Sequence, residues 1–497
     1  MTYEPTWESV SEHEVPQWYD DAKLGVFLHW GLYSVPGWAP QVGNIQELLK
    51  AKGPAYMLSH NPYAEWYLNT MQIEGSPTQL HHSETYGADF EYDNFVGQFN
   101  EGANSADLDG LASLCKDAGA GYVVLTTKHH EGFCLWPASI EHPVKGRYHA
   151  ERDLVGDFSE AVRSQGMRMG LYYSGGYDWP YNGALIRAAA DTALAVPGSQ
   201  AYADYAAAHV AELIDKYQPS VLWNDICWPP AGDVPALFAH YYNTVDEGVI
   251  NDRWIQSKMP RNIATEAIAK GVGGLIQRLW RFVPESAKNL TFPNANHFDF
   301  STPEYAVFHE IKEKKWEATR GVGHSFGANR NERPQDIVTV TELVRTFVDV
   351  VSKNGNLLIG IGPGPDGSIP LQQQVPLRGL GEWMSVNSSA VLGSRPWEVA
   401  EGETTQGTPV RFLRSGDDLC VALLETPSAR TLEIRDLAVS EVTEVEMLGL
   451  DEPIEWSVDD GRLLVELPER LQLSPAHVLR ISPSRGVRPL GEVAGNQ

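Results

Sequence analysis

Short apolar segments alternate with amphipathic segments from about residue 20 to residue 365. Seven apolar segments are rich in β-branched and aromatic residues and predict strands covered on both faces, as in a parallel sheet. They are residues 24–31, 121–130, 167–174, 219–225, 248–252, 320–327 and 355–363. Between them, residues 105–118 and 153–165 carry apolar positions at helical spacing and end before Gly119 and Gly166, which predicts helices.

This alternation predicts an α/β domain over residues 1–390. No GxGxxG motif follows the first strand, which favours a (β/α)8-like barrel of the TIM type over a doubly wound sheet. After residue 394 the pattern changes to short alternating segments separated by turn residues, typical of an antiparallel β-sandwich. We therefore predict a C-terminal β-sandwich domain at 391–484 and a loose tail at 485–497.

Composition narrows the class of function. Lys and Arg total 38 against 65 for Asp and Glu, and the net charge of −27 disfavours nucleic acid or an anionic membrane as a partner. No apolar run reaches the roughly 18 residues that span a bilayer. The four cysteines are scattered, so we expect neither a disulfide framework nor a structural zinc site. No secretory signal is visible, and we expect a cytoplasmic protein, with its oligomeric state left open.

Polar residues end several of the predicted strands. Because the carboxyl ends of barrel strands meet at the face that carries the active site, these side chains should converge on one pocket. Imidazoles, hydroxyls and a guanidinium beside Trp faces suit a neutral polyhydroxylated ligand, whereas the phosphate-binding motif GxxxxGK[ST] is absent from the sequence. Two carboxylates in such a pocket suffice for glycoside hydrolysis. The strand-end residues are His29, His129, His130, Tyr172, Tyr173, Asp225 and Arg253.

Two alternatives remain open on these residues. A metal-dependent barrel hydrolase would use His29, His129, His130 and Asp225 as ligands. Against it, the sequence holds neither an HxH on the first strand nor an HExxH, and adjacent histidines point to opposite sides of an extended strand. We therefore expect no metal and no cofactor. The second alternative is a catalytically inactive protein that binds glycans in the same pocket.

Several segments occur together in one order between residues 20 and 397, and KHHEGF and LYYSGG are the most specific of them. The others include KLGVFLHWGLYSVPGW, AEWY, LWNDICW, INDRW, FSTPEY, KKWEATRGVGHSFG and SKNGNLLIGIGPGPDGSIP. Together they resemble the α-L-fucosidases of glycoside hydrolase family 29. The resemblance implies a distorted β/α barrel followed by a β-sandwich. It also implies metal-independent, retaining exo-hydrolysis of terminal α-L-fucosyl residues of oligosaccharides or glycoconjugates by double displacement.

The resemblance also implies a catalytic pair. Asp225 of LWND matches the family nucleophile, and a carboxylate at a strand end could attack an anomeric carbon. Glu304 of HFDFSTPEY matches the acid/base of one branch of the family.

The acid/base assignment has rivals because the loop at 255–297 is longer than in that branch. This insertion contributes Glu266 and Glu285 as alternatives, and Glu317 of KKWE is a weaker one. The role of the insertion is left open.

For the sugar, the resemblance implies one set of polar partners and two apolar contacts. Phe27 and Phe326 match positions that pack the C5 methyl group of fucose, and Tyr173 could replace Tyr172 if the strand alternates the other way. The chain has Gly360 where the family usually has Asn, and the linkage and aglycone preferences stay open. The polar partners are His29, Glu65, Trp66, His129, His130, Tyr172 and Arg253.

Overall fold

The computed structural model describes residues 2–256, 263–284, 288 and 295–490, with no side chains described for 263–266. In these residues, seven parallel strands form one sheet with the order β5-β4-β3-β2-β1-β7-β6. The strands are β1 Leu24–Leu28, β2 Tyr122–Lys128, β3 Arg168–Ser174, β4 Val221–Asp225, β5 Val249–Ile250, β6 Trp316–Gly321 and β7 Gly355–Ile361.

The segment 299–305 closes this sheet into a barrel. Phe300 pairs in parallel with Asn251 just after β5, while Ser301 and Glu304 pair in parallel with Trp316 and Thr319 of β6. The segment therefore lies where an eighth strand is expected, and the predicted (β/α)8-like barrel is confirmed. The prediction missed this strand.

The sixth strand lies earlier than predicted. Only the first two residues of the predicted segment 320–327 belong to β6, Trp316–Gly321. The remainder turns away, because the carboxylate of Glu332 accepts the backbone N–H groups of His324 and Ser325, at 2.6 and 3.0 Å. A side chain that binds consecutive N–H groups holds a turn rather than a strand.

Helices connect and cover the barrel strands. The two helices predicted from periodicity are present as α8 and α9, and each is capped by an Asp side chain that accepts a backbone N–H at 2.9 Å. The helices are α1 Trp7–Val10, α2 Gln17–Ala22, α3 Ile45–Lys52, α4 Pro54–Ser59, α5 Tyr67–Met71, α6 Pro77–Tyr86, α7 Phe95–Asn104, α8 Leu108–Asp117, α9 Leu154–Ser164, α10 Trp179–Asn182, α11 Ala189–Leu194, α12 Gln200–Tyr217, α13 Val234–Thr244, α14 Ile263–Leu279, α15 Val340–Ser352 and α16 Leu371–Val391. No described helix is both long and apolar enough to cross a bilayer.

Alternation along the strands separates the barrel interior from the layer under the helices. Phe27, Tyr122, Tyr172 and Trp223 belong to one buried cluster inside the barrel, whereas Tyr173 belongs to the cluster that packs under the helices. This period of two decides the question left open between the adjacent tyrosines: Tyr172 faces inward.

The C-terminal strands form two antiparallel sheets over one core. A five-stranded sheet, β13-β16-β10-β9-β8, and a three-stranded sheet, β11-β15-β14, share a buried cluster that includes Phe412, Val421, Leu432 and Val465. The strands are β8 Arg395–Glu403, β9 Pro409–Ser415, β10 Asp418–Leu423, β11 Thr431–Glu433, β12 Leu437–Val439, β13 Glu444–Met447, β14 Glu455–Asp459, β15 Arg462–Glu466, β16 His477–Ser482 and β17 Val487–Pro489.

The first part of the predicted loose tail is ordered. β17 pairs antiparallel with β12, and Val487 is buried in the sandwich core. The tail prediction was therefore wrong for 487–489, since a single apolar side chain and three ladder positions anchor the segment. Residues 491–497 lie outside the described part of the chain.

Candidate active site

All eleven predicted site residues line one cavity of about 350 Å³. Asp225 is the last residue of β4, His29 follows β1, and Arg253 follows β5. The cavity therefore lies at the carboxyl ends of the barrel strands, where the strand-end pattern placed it. The residues are Phe27, His29, Glu65, Trp66, His129, His130, Tyr172, Asp225, Arg253, Glu304 and Phe326.

Asp225 is buried and held by donors on both oxygens. Its Oδ1 accepts hydrogen bonds from Arg253 Nη1 and from the backbone N–H of Ile226, each at 2.8 Å. Its Oδ2 accepts one from the Tyr172 hydroxyl at 2.8 Å. Ile226 has a backbone φ of +71°, a conformation that residues other than glycine rarely adopt. This conformation directs the N–H of Ile226 back to the Asp225 carboxylate.

Arg253 joins Asp225 to Glu304. Its Nη2 donates to Glu304 Oε2 at 3.2 Å, and its Nε donates to Thr302 Oγ1 at 3.0 Å. Burial alone would lower the pKa of Arg253, but the negative charges of Asp225 and Glu304 raise it above its ordinary value. The guanidinium also lies over the Trp223 ring, 4.8 Å from its centroid.

This bridge limits the separation of the two carboxylates. The two Nη atoms of one guanidinium are about 2.3 Å apart. The contacts of Arg253 therefore place Asp225 Oδ1 and Glu304 Oε2 no more than about 8 Å apart. Retaining glycosidases hold their two carboxyl groups about 5–5.5 Å apart and inverting ones about 6.5–9.5 Å apart, and this upper limit admits both separations.

Glu304 has a second partner that the sequence did not reveal. The hydroxyl of Tyr63 donates to Glu304 Oε1 at 2.5 Å and lines the same cavity. Tyr63 lies two residues before Glu65, next to the AEWY segment, but no periodicity or spacing marked it as functional.

The rivals of Glu304 differ in what the structure describes. Glu317 does not line the cavity. It is fully buried inside the barrel, where it accepts hydrogen bonds from Tyr122, Tyr19 and Trp223 at 2.5, 2.8 and 3.1 Å. The side chain of Glu266 and the whole of Glu285 lie outside the described residues.

His29 and His130 are poised as neutral hydrogen-bonding groups in the cavity. Burial, and then the neighbouring His129, lower the pKa of His29 and of His130 well below the ordinary value. His130 Nδ1 lies 2.7 Å from the Ser174 hydroxyl, and its Nε2 lies 3.8 Å from Asp225 Oδ2. Neutral imidazoles can both donate to and accept from sugar hydroxyls.

Glu65 and Trp66 form another part of the lining. Glu65 Oε2 accepts hydrogen bonds from the Gly327 N–H at 2.8 Å and the Ser325 hydroxyl at 3.1 Å, and burial raises its pKa. The Trp66 indole meets His130 edge to face, with ring centroids 5.5 Å apart.

Phe27 and Phe326 lie together, with ring centroids 6.2 Å apart and both rings buried. Gly360 explains the position of Phe326. A Cβ at Gly360 would lie 2.6 Å from Phe326 Cδ1, so the ring uses the space that a side chain at 360 would occupy.

Three residues could in principle share a metal ion. Ligand atoms of His129, His130 and Asp225 lie within 4.8 Å of one another. Asp225 is already bound by Arg253, and His130 Nδ1 by Ser174. A divalent cation there would lie close to the buried positive charge of Arg253, which opposes its binding.

The family model described as alpha-L-fucosidase matches residues 1–389, which include every residue of the cavity. The chain belongs to the α-L-fucosidase family. It is thus a glycoside hydrolase, and the resemblance seen in the sequence is confirmed. A second model, of the α-L-fucosidase C-terminal domain, matches residues 403–482, which lie in the sandwich.

Individual α-L-fucosidases cover nearly the whole chain. The α-L-fucosidase of Dictyostelium discoideum is 30% identical over 467 residues, 90% of this chain and 86% of the relative. A Thermotoga maritima α-L-fucosynthase in complex with α-L-Fuc-(1-2)-β-L-Fuc-N3 is 40% identical, covers 97% of this chain and 99% of its own, and gives a TM-score of 0.82. The Thermotoga maritima α-fucosidase in complex with a mechanism-based inhibitor is 40% identical, covers 96% and 99%, and gives 0.80.

Proposed function

We propose that this α-L-fucosidase releases terminal α-L-fucosyl residues from oligosaccharides or glycoconjugates with retention of configuration, using Asp225 as nucleophile and Glu304 as acid/base. The observation that carries the proposal is the Arg253 bridge, which holds two carboxylates in one cavity. A retaining glycosidase needs two carboxyl groups on opposite sides of the scissile bond and close enough for one to attack the anomeric carbon.

The hydrogen bonds of Asp225 favour one oxygen as the attacking atom. Among the described residues, Oδ1 accepts from two donors and Oδ2 from the Tyr172 hydroxyl alone. Oδ2 therefore keeps more lone-pair density for the anomeric carbon. In the first step Asp225 Oδ2 bonds to that carbon while Glu304 gives its proton to the departing glycosidic oxygen.

In the second step Glu304 takes a proton from water, and the water oxygen displaces Asp225 to release L-fucose. Arg253 stays paired with Asp225 and Glu304 through their changes of charge, which keeps both carboxyl groups in place. The neutral imidazoles of His29 and His130 and the carboxylate of Glu65 are proposed to bind the sugar hydroxyls. Phe27 and Phe326 would pack the C5 methyl group.

Substitution Asp225→Gly tests the nucleophile. Loss of the attacking carboxylate should lower kcat by about 1000-fold or more. Azide, entering the space that Asp225 leaves, should restore activity and give β-L-fucosyl azide, and NMR of the products reports the configuration. The control is Asp233→Asn in the same β4–α13 loop, which does not line the cavity and should keep wild-type activity with no response to azide.

Two results would contradict this assignment. If azide restores no activity, or if the product is the α-azide, Asp225 is not the nucleophile. Activity lost on EDTA treatment and regained with a divalent cation would support the metal-dependent alternative at His129, His130 and Asp225. Wild-type protein that binds fucosides without turnover would support the glycan-binding alternative.

A further inference from the structure

The cavity has an apolar part beside the residues of the proposed fucose site. Five of its remaining lining residues are apolar and non-aromatic: Ile45, Met57, Leu58, Ala193 and Ile226. Ile45 belongs to α3, Met57 and Leu58 to α4, and Ala193 to α11, while Ile226 directly follows β4. All of these segments come after the carboxyl ends of strands, at the face that carries the cavity, and we call these five residues the apolar wall.

The apolar wall carries no charge. Among the described residues that line the cavity, the charged or titratable groups on offer to a ligand are those of the proposed fucose site, together with the hydroxyls of Tyr63 and Tyr177 and the thiol of Cys227. The neutral polar side chains of Asn61, Thr192 and Thr319 also line the cavity, but a ligand that contacts the apolar wall meets an uncharged, apolar surface.

The insertion helix α14 holds the two sides of the apolar wall together, and none of its described side chains lines the cavity. Within α14, Gln277 Oε1 accepts the Ala55 N–H at 3.0 Å. Just after the helix, the indole N–H of Trp280 donates to the Leu49 carbonyl at 2.8 Å. These two hydrogen bonds attach the hairpin formed by α3 and α4 to α14. Gly53 in this hairpin has φ +84°, and a Cβ there would lie 3.0 Å from Trp280 and Gln277.

On its other side α14 packs against α11. Gly273 makes this close approach possible, since a Cβ at that position would lie 3.1 Å from the Cβ of Ala190. The same short helix α11 brings Ala193 to the cavity. One inserted helix thus contacts both the hairpin that carries Met57 and Leu58 and the helix that carries Ala193.

We propose that the apolar wall is the binding site for the group linked to fucose, and that it selects an uncharged ring with an apolar face, such as an aryl group or the apolar face of a neutral sugar. The helix of the 255–297 insertion is the brace that fixes this selectivity. The inference rests on the proposed function, because it takes the inner cavity as the fucose site.

The first experiment compares substrates that do and do not reach the apolar wall. The nitrophenyl group of 4-nitrophenyl α-L-fucoside is expected to contact the apolar wall. The leaving group of α-L-fucosyl fluoride is a single atom, and free L-fucose, used as an inhibitor, has no leaving group, so neither compound reaches the wall. Met57→Gln should raise KM for the nitrophenyl fucoside about 5- to 10-fold. The kcat/KM for the fluoride and the inhibition constant of L-fucose should stay within about 2-fold of wild type.

The second experiment tests the brace. Trp280→Phe keeps an aromatic ring and removes the N–H donor, and it should raise KM for the nitrophenyl fucoside about 3-fold with the fluoride unaffected. The matched control is Leu275→Ala on the exposed face of α14, which should leave both substrates unchanged.

Any other outcome contradicts a specific part of this proposal. An unchanged KM for the nitrophenyl fucoside in Met57→Gln shows that the wall does not bind the aglycone. Equal losses for the nitrophenyl fucoside, the fluoride and L-fucose assign Met57 to the fucose site instead. If the wild-type protein neither hydrolyses the fluoride nor is inhibited by L-fucose, the proposed function fails and this inference fails with it.

Discussion

Three carboxylates near the barrel axis, of which Asp225 and Glu317 are buried and Glu304 is partly buried, are distinguished by the charge of their donors. Asp225 and Glu304 both contact the guanidinium of Arg253, whereas Glu317 receives hydrogen bonds from the neutral groups of Tyr19, Tyr122 and Trp223. Burial without a cation raises the pKa of Glu317 to about 7. Glu317 therefore holds the buried aromatic residues Tyr19, Tyr122 and Trp223 in place by hydrogen bonds. The guanidinium of Arg253 lies over the ring of Trp223.

The two glutamates should respond differently to the same substitution. Glu304→Gln removes the proton donor and acceptor and should lower kcat for a phenyl fucoside by at least about 100-fold. Glu317→Gln preserves the shape of a group outside the cavity and should change kcat by less than about 5-fold. Steady-state kinetics of both variants check this. A larger loss in Glu317→Gln than in Glu304→Gln would exchange the two assignments, and a wild-type rate in both would direct attention to Glu266 and Glu285.

The raised pKa of Glu317 also predicts a pH-dependent stability. Between its ordinary pKa of 4.5 and about 7, the folded chain holds a proton that the unfolded chain has lost. The stabilisation is complete below pH 4.5 and is lost as the pH rises through 7. Relative to Glu317→Gln, the wild-type free energy of unfolding should therefore fall by about 3 kcal/mol from pH 4.5 to pH 8. Urea unfolding of both proteins at several pH values measures this, and parallel curves would contradict it.

At the level of single residues, the strand-end pattern found the inner cavity because each polar residue interrupts an otherwise apolar strand. It could not find Tyr63 or Thr302, which contact Glu304 and Arg253 only because distant segments meet. The contact between Tyr63 and Glu304 joins residues more than two hundred positions apart, and the contact between Arg253 and Thr302 joins residues about fifty positions apart. Contacts over such separations leave no local pattern in the sequence.

At the level of elements, the segment 299–305 combines a structural and a chemical task. It completes the barrel between β5 and β6 and carries Glu304. Thr302 ties it to the end of β5, because its hydroxyl donates to Asp252 Oδ1 at 2.7 Å and accepts from Arg253 Nε at 3.0 Å. One hydroxyl thus fixes the position of the acid/base segment relative to the bridging arginine.

This link predicts the effect of Thr302→Val. The substitution keeps the shape of the side chain but removes the hydrogen bond from the hydroxyl to Asp252 Oδ1 and the one from Arg253 Nε to the hydroxyl. We expect kcat to fall about 10-fold with little change in KM, and the free energy of unfolding to fall by about 2 kcal/mol. Kinetics and denaturant unfolding measure the two effects. Thr302→Ser retains the hydroxyl and should restore both, and a Val variant with wild-type kinetics would show that the link is dispensable.

The composition of this segment explains why it was not predicted. Residues 299–305 contain two acidic residues, Ser, Thr and Pro303, and Pro cannot donate to a ladder. Strands β1 to β4 and β7 were predictable because both faces are covered and both therefore need apolar side chains. The closing segment pairs through isolated bridges instead, and its polar side chains are retained by the site.

At the scale of the whole molecule, the sandwich shares its core with the barrel. Leu413, Cys420, Ala422 and Val478 of the five-stranded sheet belong to the same buried cluster as α15 and α16, and Trp383 Nε1 of α16 donates to the Ala476 carbonyl at 2.8 Å. The opposite face of this sheet packs on the three-stranded sheet. We therefore expect the two domains to unfold in one cooperative transition.

A group of ion pairs at the domain boundary offers a test that leaves the chemistry intact. Asp349 of α15 accepts from Lys353 Nζ at 2.8 Å and pairs with Arg411 of β9, while Lys353 also contacts Glu401 of β8 at 2.6 Å. Asp349 lies outside the cavity, so its loss should act on domain packing alone.

Asp349→Asn removes the charge that Lys353 and Arg411 share, and Lys353 is almost fully buried. The free energy of unfolding should therefore fall by about 1–2 kcal/mol, seen in calorimetry as a Tm lower by about 1–3 °C, while kcat and KM stay at wild-type values. Glu398→Gln, at an exposed position of β8, is the matched control and should leave Tm unchanged. A lower Tm accompanied by a second, separate transition would show that the domains unfold independently. A changed KM would show that the boundary reaches the active site.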